Sequence, residues 1–143
     1  MMFAGMNPVA IMVAAIAGWL AGALWYGMFG RIWVQAQGTT VEAFKARQAA
    51  SKGSPASYMP FVLAFFGNLV MAWILSGLLG HIGALSVRGG IISGAFVWFG
   101  FIVTSMLVNN AFEGRSWRLT AVNAGHWLLV MIVIGAILGA WGV

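Results

Sequence analysis

Four stretches of this chain, Asn7–Gly30, Tyr58–Gly80, Gly89–Phe112 and Leu119–Val143, contain none of its seven basic and two acidic residues. Each exceeds the roughly 20 residues a helix needs to cross a hydrocarbon core. Lipid leaves the backbone two ways to satisfy its polar groups, a helix or a closed barrel. The residue-by-residue alternation of a membrane barrel is missing here. The fold class that follows is all-α: an integral membrane four-helix bundle, with spans over about 7–30, 58–80, 89–112 and 119–142. Only 6% of residues are charged, against about 25% in a soluble domain. The spans take about two-thirds of the chain, so 1–143 reads as a single transmembrane domain.

Basic residues set the expected orientation. Arg31, Lys45, Arg47 and Lys52 fall between the first and second spans, and Arg115 and Arg118 between the third and fourth. Arg88 alone lies on the other side. The excess of Lys and Arg in cytoplasmic loops puts 31–57 and 113–118 in the cytoplasm. Both termini then face outward, which for a bacterial inner membrane means the periplasm. Trp25, Tyr26, Trp33, Tyr58, Phe112 and Trp117 cluster near the same boundary, where amphipathic rings settle. The net charge of +5 is accounted for by topology and anionic headgroups, and a nucleic-acid partner is not expected. The segment before Asn7 has no Lys or Arg, unlike a cleavable signal. Asn7-Pro8 reads instead as a helix cap followed by proline at the first helical position.

The loop 31–57 holds Thr39-Thr40-Val41-Glu42. A hydroxyl with a carboxylate three residues on is the spacing of a capping box, and predicts a short helix over about 40–50. A faint internal repeat pairs Gly22–Gly27 with Gly94–Gly100. It predicts a 2+2 parallel repeat, with helices one and two matching three and four.

Lipid tails are as apolar as leucine, so spans associate through small residues and interhelical hydrogen bonds. Gly18 and Gly22, Gly90 and Gly94, and Gly135 and Gly139 form GxxxG pairs, the candidate helix-packing sites. Trp19, Trp73 and Trp98 lie near mid-span. Each indole N–H wants an acceptor, so all three are expected against other helices. Asn68, Thr104, Ser105, Asn109, Asn110, Asn123 and His126 fall in the cytoplasmic half of the spans. Ser105 and Asn109 share a helix face, as do Asn123 and His126. These groups either pin the packing by bonding across helices, the preferred reading, or line a candidate polar cavity made of Asn68, Thr104, Ser105, Asn109, Asn123 and His126. His126 keeps the second reading open, since an intramembrane ionisable residue is a functional candidate by default. A lesser variant makes His126 an axial ligand to a haem or chlorophyll-type pigment; otherwise no cofactor and no metal site is expected.

From Pro8-Val9-Ala10 through Gly22-Ala23-Leu24-Trp25-Tyr26, and from Phe112-Glu113-Gly114-Arg115-Ser116-Trp117 into Asn123-Ala124-Gly125-His126-Trp127 and Gly135-Ala136-Ile137-Leu138-Gly139, the chain resembles family 1761 of the domains of unknown function. The resemblance runs nearly end to end. It implies a small bacterial membrane protein and no activity. It directs attention to the Glu113-Gly114-Arg115 turn, where the two charges can pair, and to the Asn123–His126 face.

An enzyme is the least supported class. There is no Asp and no Cys, and both glutamates lie in loops; the sequence offers no nucleophile–base pair, paired carboxylates or metal-ligand cluster. The expected function is that of a non-catalytic membrane module working by assembly, as a homo-oligomer or as an accessory subunit beside a larger membrane complex. The alternative is a carrier or pore for a small neutral solute through the polar half-cavity.

Overall fold

The computed structural model describes residues 6–142, and among them every regular element is helical. The order is α1 (Pro8–Ala36), α2 (Val41–Ser51), α3 (Pro55–Ile82), α4 (Val87–Phe112) and α5 (Trp117–Trp141). All but α2 are long and apolar enough to cross a membrane.

Local chemistry sets the boundaries. Asn7 caps α1: its Oδ1 accepts from the N–H groups of Val9 (3.0 Å) and Ala10 (3.2 Å), with Pro8 at the first helical position. Nothing stops α1 at Gly30, and it continues to Ala36, beyond the expected span. Much of the expected loop 31–57 is therefore helical. The cap of α2 is Thr40, whose Oγ1 accepts from the Ala43 N–H at 3.1 Å. The expected box on Thr39 is off by one residue, and Glu42 lies inside the first turn. Gly83, at φ +69°, ends α3 in the left-handed region where a side chain would be strained. Ser86 and Ser116 cap α4 and α5 through the N–H groups of Gly89 and Leu119.

The spans run antiparallel in sequence order. Gly18 meets Ile134 and Gly22 meets His126; along α4, Gly90 meets Gly135 and Gly94 meets Met131. The last helix is the axis of the bundle. It packs along α1 on one side and along α4 on the other, and α1 and α4 do not pack along each other. The α3 helix lies mainly against α1 and meets α4 only weakly. A twofold between the halves would make α3–α4 packing equal that of α1–α5. It does not, so the faint internal repeat has no counterpart in the packing.

We call the end carrying α2 and the α4–α5 turn the basic end, since Arg31, Lys45, Arg47, Lys52, Arg115 and Arg118 lie there. At this end Ser116 Oγ also donates to the Ala36 carbonyl at 2.6 Å, tying the last turn to the end of α1. Phe44 of α2 packs edge-on against Trp33 of α1, with ring centroids 5.6 Å apart.

Candidate functional site

The three glycine pairs are all used inside the chain. A Cβ on Gly90 would stand 1.8 Å from the Gly135 carbonyl oxygen, and one on Gly135 2.2 Å from that of Gly90. Gly139 abuts the Ser86 carbonyl and Gly94 that of Met131. The α4–α5 crossing is thus backbone on backbone. Gly18 and Gly22 do something different. They face side chains, Asn68 Oδ1 and His126 Nε2, each 2.6 Å from where a Cβ would be.

Those two glycines line a polar core between α1, α3 and α5. Asn68 is 2% exposed and His126 9%. Asn68 Nδ2 donates to its own helix at the Ala64 carbonyl, 2.8 Å away. That bond orients the amide and leaves Oδ1, turned towards Gly18, without a partner. His126 is held by rings: Tyr26 at 4.8 Å and Trp127 at 4.6 Å between centroids. Its Nδ1 is buried and unpartnered. The Tyr26 hydroxyl donates to Asn123 Oδ1 at 2.6 Å. Asn123 and His126 therefore share a face, as their spacing predicts, and Tyr26 is what they share it with.

Thr104, Ser105 and Asn109 do not join this core; all three are exposed on the outside of α4. The two hydroxyls bond to the backbone of their own helix. Residues Trp98–Val103 form a π-helical stretch, which displaces the ordinary carbonyl pairing. Thr104 Oγ1 donates to the Gly100 carbonyl (2.8 Å) and Ser105 Oγ to that of Phe101. Hydroxyls of this kind re-satisfy carbonyls freed within a lipid-exposed helix. Asn110, next along, donates to Thr120 Oγ1 at 2.9 Å and ties the end of α4 to α5.

Two of the three mid-span indoles find acceptors on a neighbouring helix, Trp19 at the Phe61 carbonyl (3.1 Å) and Trp98 at that of Ala124 (2.8 Å). Trp73 does not; it is 48% exposed and borders a cleft of about 430 Å³ between α1 and α3, lined by apolar residues such as Ile11, Met12 and Leu69. Trp25 also bonds across helices, to the Val122 carbonyl at 3.0 Å, with its ring against Gly125.

Sequence reasoning missed Ser76, which is 1% exposed with its Oγ unpartnered. Its signal is its position two turns from Asn68 on the same face. The arrangement does not suit a porphyrin. His126 Nε2 abuts the Gly22 backbone, and Tyr26 and Trp127 pack on its ring, so no macrocycle can stand over either nitrogen. Glu113 and Arg115 do pair, at an exposed turn. Among the described residues no group of three or more His, Cys, Asp or Glu is placed to hold a metal ion.

No curated protein and no solved structure matches the chain. A family model for a protein of unknown function, DUF1761, matches residues 9–139. That match covers all four spans, the glycine crossings and the polar core, and by it the chain belongs to the DUF1761 family.

Proposed function

We propose that the protein is a non-catalytic module of a bacterial inner membrane that works by assembly, as a homo-oligomer or as a small subunit packed on a larger membrane complex. The glycine pairs no longer argue for this, because the monomer uses them. The outer face of α4 does. This helix is the least buried of the four spans, and α5 is the one helix it packs along. Phe96, Phe99, Phe101 and Phe112 are 66–90% exposed, and between them Gly100 has open space where a Cβ would be. A small residue flanked by rings is a slot for a second helix. The chain has no cysteine, so Gly100→Cys in lipid nanodiscs gives a unique crosslinking probe. Rapid disulfide-linked dimer formation through the introduced thiol, with native mass spectrometry reporting more than one copy, is the expected result. A monomer with no crosslink removes self-association from the proposal.

The basic end is proposed as cytoplasmic, with both termini periplasmic. Thiol labelling of Gly38→Cys and Gly83→Cys from outside intact cells tests it; labelling of the first variant and not of the second reverses the orientation.

A second reading, a carrier for a small neutral solute, is favoured by one observation: three buried polar atoms without partners, Asn68 Oδ1, Ser76 Oγ and His126 Nδ1. Lost flux with His126→Leu in liposomes would favour it. Unchanged flux removes His126 from that role.

A further inference from the structure

The short helix α2 is cationic and weakly held. Lys45, Arg47 and Lys52 lie on it or just after it, all three exposed, and Glu42 is its one acid. None of its residues is buried, and it comes close to α1 and α3 alone. It stands between two glycine turns, Gly38 at φ +79° and Gly53 at φ +83°. Its neighbours in the chain are both spans, so α2 lies where those spans leave the lipid, at the level of the headgroups.

What α2 touches is a column of rings. The Arg47 guanidinium stands 5.8 Å from the centre of the Phe44 ring, within cation–π reach. Phe44 meets Trp33 edge-on at 5.6 Å, Trp33 meets Tyr26 at 5.4 Å, and Tyr26 lies 4.8 Å from the His126 ring. Trp33 and Tyr26 are seven residues apart on α1, on one face and separated by about 10 Å of helical rise. The column therefore descends from the surface helix to the polar core. At its foot the Tyr26 hydroxyl donates to Asn123 Oδ1, which joins α1 to α5. Each ring–ring step falls within the roughly 4.5–7 Å over which aromatic pairs attract, so a displacement of Phe44 is felt at Trp33 and then at Tyr26.

We propose that α2 is a docking site for anionic phospholipid headgroups, and that the ring column carries its docked position to the Tyr26–Asn123 bond and His126. Charge sets the partner. Three cations face outward against one carboxylate, and the matching charge at that level is a lipid phosphate, which attracts each nearby Lys or Arg. The element with two arrangements is α2 itself, drawn onto the headgroups or released from them. A phosphate taken by Arg47 competes with the Phe44 ring for the same guanidinium, so lipid binding and the top of the column are linked. The proposal holds for one copy or several and needs no transport, so it stands apart from both readings above.

The test uses the full chain in nanodiscs of phosphatidylcholine, alone or in equal parts with phosphatidylglycerol. The probes are the Trp33 indole N–H and the His126 ring protons, which sit in the ring currents of Phe44 and Tyr26. Phosphatidylglycerol should shift both resonances. Salt at about 1 M, where the screening length falls to about 3 Å, should reverse the shifts. The combined variant Lys45→Gln, Arg47→Gln and Lys52→Gln should abolish them. Phe44→Leu keeps the three cations and the apolar bulk but removes the ring; the α2 backbone amides should still respond to phosphatidylglycerol while His126 no longer does. No response in the parent, or a response on α2 that never reaches His126, overturns the proposal. So does a His126 shift that survives either the neutralised helix or Phe44→Leu.

Discussion

The α4–α5 crossing gives the sharpest quantitative expectation. In Gly90→Ala the new Cβ falls 1.8 Å from the Gly135 carbonyl oxygen, about 1.6 Å inside the 3.4 Å at which ordinary contact begins. Its nearest neighbours are backbone atoms, so no rotamer change relieves the clash and the helices must part by on the order of 1 Å. A gap of 0.5–1 Å forfeits about a quarter to a half of the dispersion well at each atom pair. The Ser86–Gly139 and Gly94–Met131 approaches open with it. Overpacking a well-filled site costs about 1–3 kcal/mol, occasionally more. We expect Gly90→Ala and Gly135→Ala each near the upper figure, about 3 kcal/mol. Once one methyl has parted the helices, the second enters space already made, so the double variant should cost clearly less than the two single losses together. Gly67→Ala is the control: no atom lies within 4 Å of its Cβ, and it should unfold with the parent. Denaturing-detergent titration in mixed micelles, followed by loss of helical circular dichroism, gives all four free energies. If Gly90→Ala falls within about 0.5 kcal/mol of the parent, below the lower end of the overpacking range, the backbone-on-backbone crossing is refuted.

Trp98→Phe removes the indole bond to the Ala124 carbonyl and should cost about 0.6–2 kcal/mol in the same titration, the range for interhelical bonds in lipid. Gly125→Ala puts a methyl 2.6 Å from the Trp25 ring. It should expel that indole from its bond to Val122, read as a shifted indole N–H resonance that Trp25→Phe removes. Glu113→Gln breaks the exposed pair with Arg115 and should change unfolding by less than about 1 kcal/mol; a larger loss would mean that the turn carries structure beyond its charges.

The four spans were legible because lipid imposes a length and a charge rule that few sequences satisfy by accident. Their ends were less so. Hydropathy loses its meaning at the interface, and α1 runs on past Arg31 because its first stop is Gly38, at φ +79°. Placing the polar residues was harder still. Thr104 and Ser105 carry the same hydroxyls as Ser76, and nothing in their own spacing says that two would serve a π-helical backbone from the outside while one would be buried. That difference depends on the rotation of α4, fixed by Gly90 and Gly94 against α5. Asn123 and His126, by contrast, could be placed together from their separation of three residues. Their meeting with Tyr26 needed the register of α1 on α5.

The same glycines explain why the last helix is the axis. Hydrophobic surface ranks no helix above another inside a bilayer, since tails and side chains are equally apolar; close backbone approach does. The α5 helix has small residues on two sides, Gly125 towards Trp25 of α1 and Gly135 with Gly139 towards α4. It can therefore hold two close neighbours. The α4 helix has buried glycines on one side, Gly90 and Gly94, and obtains one close neighbour. Its remaining glycine in the middle of the span, Gly100, meets nothing. By this reasoning the packing order within the chain follows the small-residue faces that meet a neighbouring backbone or ring.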